Sequence, residues 1–95
     1  MGYDFSVSQR DHERLDWAIP WAFPDSDETQ VIDTSQWVIE SGPQITVDTP
    51  TIALDRKSTR AFFSGTRPHG KTVVANVVTT TAGRVYERRI QVLGI

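Results

Sequence analysis

Ninety-five residues make one domain, and so short a chain buries only about 60–65% of the surface it exposes when unfolded. That points to a compact sandwich or to support from neighbouring subunits. The formal charge of −2 gives no electrostatic case for nucleic acid or an anionic membrane as partner, the lack of cysteine excludes disulfides, thiolate zinc sites and thiol nucleophiles, and no apolar run approaches the ~20 residues of a membrane span.

Helical periodicity is hard to find. Short β-branched and aromatic runs, separated by Gly, Pro, Asp and Ser, recur at the spacing of about 8–12 residues expected of an all-β sandwich or barrel. Residues 1–13 are polar and punctuated, with Tyr3, Phe5 and Val7 alternating, and read as a flexible arm that pairs when it finds a neighbour. The N-terminus lacks both the basic start and the apolar core of a signal peptide, so synthesis in a cytoplasm is expected.

The domain proper is expected over residues 14–95. Its first strand, LDWAIPWAF at 15–23, carries Trp17, Ile19 and Trp21 on one face. Pro20 cannot donate to a ladder, which places that strand at an edge or at a switch between sheets. PDSDE is a turn. TQVIDTSQWVIES follows, with Val31, Ile32, Trp37 and Ile39, then QITVDTP with Ile45 and Val47 inward, then TIALD with Ile52 and Leu54 alternating against polar or small neighbours. TRAFFSG is a further strand ending at Gly65, and TRPHG turns the chain.

The last quarter is a hairpin whose turn contains Gly83. Thr72, Val74, Asn76, Val78 and Thr80 share one face of its first strand, and Val73, Ala75, Val77 and Thr79 the other. Both faces are largely apolar, which suits a central strand or one covered by a second protein. On the second strand Tyr86, Arg88, Ile90 and Val92 should face the core. An Asn in so apolar a strand needs partners, because an unsatisfied buried amide costs ~1–3 kcal/mol; Asn76 is expected to tie down an adjacent strand or bulge.

Chemistry is harder to find. His12 and His69 have no histidine at metal-ligand spacing beside them, and Asp25, Asp27 and Glu28 lack the glycine and distant bidentate Glu of a calcium loop. No Gly-x-Ser-x-Gly elbow is present and the glycines fit no phosphate loop. No catalytic residue, cofactor or metal is expected. Among the tryptophans, Trp17 and Trp37 read as core side chains, whereas Trp21, between Pro20 and Pro24, is the candidate for contact with a partner. Arg84, Arg88 and Arg89 suggest cross-strand pairs with Glu87 or Glu40.

The order Asp16-Trp17, Trp21, Asp27-Glu28-Thr29, Ile32 and Ser35-x-Trp37-x-Ile39, followed by FFSGTRPHGKTVVANVVTTTAGRVYERRIQV, resembles the short immunoglobulin-like virion proteins of tailed bacteriophages, the fiber-tail adaptor and neck or tail accessory proteins. Its most specific part is Gly65, Val74-x-Asn76-x-Val78-x-Thr80, Gly83-Arg84 and Glu87-Arg88. Pro20 and Thr72 depart from the pattern. The resemblance implies an immunoglobulin-like (fibronectin-III-like) antiparallel β-sandwich. It further implies a non-enzymatic part of the virion that joins fiber or accessory proteins to the tail or neck and contacts other virion proteins and copies of itself, with no nucleic acid or membrane involved. On this reading the partner-facing residues are Tyr3, Phe5 and Val7 in the arm, Trp21 and Phe23 on the edge strand, and Arg67 with His69 at the turn; Trp17, Trp37, Val74, Asn76, Val78, Gly83, Tyr86 and Ile90 are structural. Two alternatives use the same fold: a capsid decoration (cement) protein, and a carbohydrate-binding module with Trp21 as its platform.

Overall fold

The computed structural model describes residues 3–21 and 31–95. Its strands are β1 (Phe5–Gln9), β2 (Leu15–Pro20), β3 (Ile32–Ser41), β4 (Thr46–Ile52), β5 (Ser58–Ser64), β6 (Lys71–Thr80) and β7 (Val85–Gly94). They form a four-stranded sheet in the order β1-β7-β6-β3 and a three-stranded sheet in the order β2-β5-β4. Every pairing is antiparallel except that of β1 with β7. This is the strand division of an immunoglobulin-like sandwich, with the first strand carried across to lie beside the last.

The alternation read from the sequence explains which faces meet. Ile19 of β2 and Ala61 and Phe63 of β5 pack from the smaller sheet against Ile32, Val74, Val78, Ile90 and Val92 from the larger. Fully burying an aliphatic or Phe side chain of this kind is worth about 1.5–3 kcal/mol. Trp37, on the third strand where immunoglobulin sandwiches carry a core tryptophan, meets Phe63 edge-on at 5.6 Å between ring centroids and 82° between planes.

Strand β6 lies between β3 and β7, and on its outer face Val73, Val77 and Thr79 are half-buried and Ala75 is buried. Thr72, Val74, Asn76, Val78 and Thr80 are all buried on the inner face. On β7, Ile90 and Val92 are buried inward and Tyr86 packs against the core. Pro20 sits at the end of β2, an edge strand, as its missing N–H requires.

Three expectations are revised by the fold. The segment read as an arm contains β1, and the neighbour it pairs with is the chain's own β7, in register from Phe5–Ile90 to Gln9–Gly94. The two short strands expected around Pro50 are one strand, β4, with a break in register between Asp48 and Thr51 and Thr49 in the left-handed region at φ 50°. That irregularity lets a strand continue through a proline. Leu54, expected to alternate with polar neighbours along a strand, instead lies in the turn after β4 and is fully exposed, because the turn closes at Ala53, whose N–H bonds the Ser58 carbonyl at 3.0 Å.

Two glycines hold the ends of the sandwich in shape. Gly83 takes φ 79° in the β6–β7 turn, where its N–H bonds the Thr80 carbonyl at 2.9 Å. Gly94 has no room for a side chain, since a Cβ there would lie 1.7 Å from the Arg67 carbonyl oxygen.

Candidate partner-binding surface

Asn76 is wholly buried and joins three strands. Its Oδ1 accepts from the Thr59 hydroxyl at 2.6 Å, and its Nδ2 donates to Ser35 Oγ at 2.8 Å and to the Gln36 carbonyl at 2.9 Å. Thr59 Oγ1 in turn accepts from Trp21 Nε1 at 3.1 Å. The chain Trp21, Thr59, Asn76, Ser35 therefore crosses from the smaller sheet to the larger through the core. A second crossing is made by Gln9, buried at the end of β1, whose Nε2 donates to the Phe63 carbonyl at 2.9 Å while its Oε1 accepts from Trp17 Nε1 at 2.9 Å. Gln9 carried no signal in the sequence beyond its place in the alternation Phe5, Val7, Gln9.

The residues expected to face a partner divide into groups. Tyr3 and Phe5 are exposed, at 47% and 36%, along the outer edge of the larger sheet. Val7, next along that edge, is half-buried and packs against the core. Arg67 and His69 stand exposed on the turn before β6. That turn is tied to the end of β7: His69 N–H bonds the Gly94 carbonyl at 3.0 Å, Gly94 N–H bonds the Gly70 carbonyl and Gly70 N–H bonds the Arg67 carbonyl, both at 2.9 Å. Trp21 has moved inside. It is 6% exposed, its Nε1 is spent on Thr59, and the Arg88 guanidinium lies 5.2 Å from its ring centroid. The expected partner contact through Trp21 thus has no surface to work from in the folded chain, and neither does a sugar platform built on it. Phe23 lies outside the described residues, as do Asp25, Asp27 and Glu28.

The charges on the outer faces are largely closed among themselves. On the larger sheet Arg89 bonds Glu40 on the far side of β6 and pairs with Glu87 at 2.6 Å, contacts that raise its pKa, the Glu40 hydrogen bond most. On the smaller sheet Asp16 is held by Arg60 and Asp48 by Arg14, and each hydrogen bond lowers the pKa of its carboxyl. Arg14 also lies over the Phe62 ring at 4.0 Å. Among the described residues no three His, Asp or Glu side chains converge as a metal site. Exposed pairs of this kind fix the outer faces more than they stabilise the fold.

One feature had no counterpart among the sequence expectations. Where β3 and β4, the outermost strands of the two sheets, come together, two adjoining cavities of 340 and 240 Å³ lie between them. The larger is lined by Ser35, Gln36, Trp37 and Val38 of β3 with Val47 and Pro50 of β4. The smaller shares Ser35 and Pro50 and extends to Thr51 and Ile52. Residues of both faces of β3 line the larger cavity, so it runs along the strand's backbone edge. Trp37 Nε1 is buried with no hydrogen-bonding partner.

The described residues thus form a sandwich with two internal polar ties and paired charges on both outer faces. Comparison with curated proteins gives no match. The family described as "Podophage GP4 fiber-tail adaptor protein gp77" matches residues 9–93, which takes in all the strands from β2 through β6 and nearly all of β7. The chain belongs to that podophage fiber-tail adaptor family.

Proposed function

We infer that this chain is a non-enzymatic structural adaptor of a podophage particle, joining fiber to tail, and that it works as several copies packed side by side. The family match over residues 9–93 carries the reading. The structure supports it physically. A domain measuring 41 × 28 × 15 Å is a thin plate, and a plate meets neighbours on several sides at once. The surfaces assigned to other virion proteins and to neighbouring copies are the outer edge of β1, with Tyr3 and Phe5 and the flank of Val7, and the turn bearing Arg67 and His69. On these surfaces the side chains, two aromatic and two basic or imidazole, make the contact and select the partner.

The test is assembly. Particles made without this chain should lack fibers while retaining a tail, and the purified chain should sediment as an oligomer. A chain that sediments as a monomer and is absent from purified particles would end this reading. The capsid-decoration alternative is separated by location, since it requires density for the chain on the head. The carbohydrate alternative has lost its proposed platform with the burial of Trp21.

A further inference from the structure

We propose that the seam between β3 and β4 is the socket for an extended strand supplied by a different virion protein, which adds to the four-stranded sheet along β3. The inference rests on the adaptor reading and names the site through which one of the two joined proteins is gripped.

The sheets have four outer edges, and three carry the features that discourage pairing with a further strand. β1 is five residues long, β2 ends in Pro20, and β4 is interrupted by Pro50 and the left-handed Thr49. β3 is ten residues long and holds neither proline nor lysine. Its register with β6 is regular from Thr34 to Ile39, with shifts only beyond those residues. Six residues in regular register give an edge of about 20 Å, enough for an added strand. The two charges of β3, Asp33 and Glu40, lie at those shifts, so among the described residues Thr34–Ile39 is an edge stretch without charge, proline or bulge.

The cavities lie along that same stretch, at Ser35 to Val38. An incoming strand pairing with β3 would direct alternate side chains into the seam, where Trp37, Val47 and Ile52 offer apolar walls. A second copy is a poorer occupant. Two β3 edges meeting side by side would pair backbones but leave both seams unfilled, because Trp37 and Ile39, the inward side chains of each β3, already pack against that copy's own core. The occupant is therefore an extended segment with small or aliphatic side chains at alternate positions.

The experiment uses whole particles. A photo-crosslinking amino acid at Gln36 or Val38, both exposed on β3, should attach to one segment of a fiber or tail protein, identified by mass spectrometry, and the same residue at Val85 should not attach to that segment. Val38→Lys, which sets a guard on the edge, and Val47→Lys, which fills the seam, should each lower the content of that protein in purified particles by about tenfold, a factor equivalent to 1.4 kcal/mol of binding. Val38 is half exposed, so Val38→Lys should leave the melting temperature unchanged, and any fault of folding in Val47→Lys would be told apart by that pair. Crosslinks from Gln36 and Val38 only to another copy of this chain, or no crosslink in fibered particles, would overturn the proposal. Loss of fibers from Tyr3→Ala and Phe5→Ala particles with full occupancy in both lysine variants would overturn it while leaving the adaptor reading intact.

Discussion

Replacing Asn76 by Val tests whether the buried polar chain is an internal tie. The side chain makes three hydrogen bonds, one received from Thr59 at 2.6 Å and two donated, at 2.8 and 2.9 Å. Thr59 is wholly buried and cannot turn to water, whereas Ser35 is half-buried and can. The main loss is therefore one orphaned buried hydroxyl and one under-satisfied carbonyl, partly offset by the added apolar packing of Val, or about 2–3 kcal/mol. For a domain of this size that corresponds to a fall in melting temperature of roughly 10–20 °C. Urea unfolding should show a lower midpoint with an unchanged slope. Thr59→Val alone orphans Asn76 Oδ1, a loss that the double variant does not suffer because that oxygen is gone. The two losses should consequently add to less than their sum by about 1 kcal/mol or more. Attachment to the particle should survive, because Asn76 has no exposed surface. A change under about 0.5 kcal/mol, the scale of an ordinary surface substitution, strict additivity, or lost attachment at an unchanged melting temperature would each refute the reasoning.

Other outcomes follow from the same structure. Gly94→Ala should be far more damaging than Gly83→Ala: the first drives a methyl into the Arg67 carbonyl, whereas the second meets nothing within 4 Å and costs only its left-handed backbone, about 1–2 kcal/mol; comparable melting temperatures for the two would contradict this. Leu54→Lys should change stability by less than about 0.5 kcal/mol, since the leucine is fully exposed, and a large loss in thermal melts would restore the strand expected from the sequence. Asp16 and Asp48 have folded-state pKa values below the ordinary Asp value of 3.8, so their contribution to stability is complete above that value and disappears as pH falls through the lower folded values. Melting temperature should therefore drop below about pH 4, and Arg60→Ala with Arg14→Ala should make that drop shallower; an unaltered acid slope in the double variant would show that the pairs contribute nothing.

The strands were legible where burial on one face imposed period two. β2, β3, β5, β6 and β7 follow from the alternation of Trp17 and Ile19, Trp37 and Ile39, Ala61 and Phe63, Val74 and Val78, and Ile90 and Val92, and Pro20 narrowed β2 to an edge or a switch between sheets. What failed was local. Pro50 looked like a boundary because a proline inside a strand needs a bulge, and a bulge at Asp48–Thr51 has no residue pattern of its own. Leu54 looked like part of a strand because alternation says nothing about where a turn begins. Residues 1–13 read as an arm awaiting a neighbour because they are polar and punctuated; alternation of Tyr3, Phe5 and Val7 does not say which strand they pair with, and Gln9 is buried on hydrogen bonds that no composition reveals. Trp21 was misjudged from its flanking prolines, when its place one step beyond Ile19 on the inner face was the better guide. The seam was invisible, since it joins β3 to β4, which are paired to different strands; its one sequence trace is the absence of Pro and Lys from residues 32–41.

An immunoglobulin-like sandwich without cysteine must set the offset of its two sheets by other means. Apolar packing alone tolerates sliding, because Ile, Val and Phe side chains present no direction. Hydrogen bonds do, and here they cross the core at two separated places: Gln9 to Phe63 and Trp17 near one end of β5, and Asn76 to Thr59 and Trp21 near the other. Each would be costly if half made, since a buried group left unpaired loses ~1–3 kcal/mol, so the sheets lock where both are complete. That fixed offset also fixes the distance between β3 and β4, the width of the seam that faces outward. The buried asparagine in the C-terminal hairpin thus acts at long range: it takes no part in contact, yet it helps set the shape of the edge at which contact is proposed.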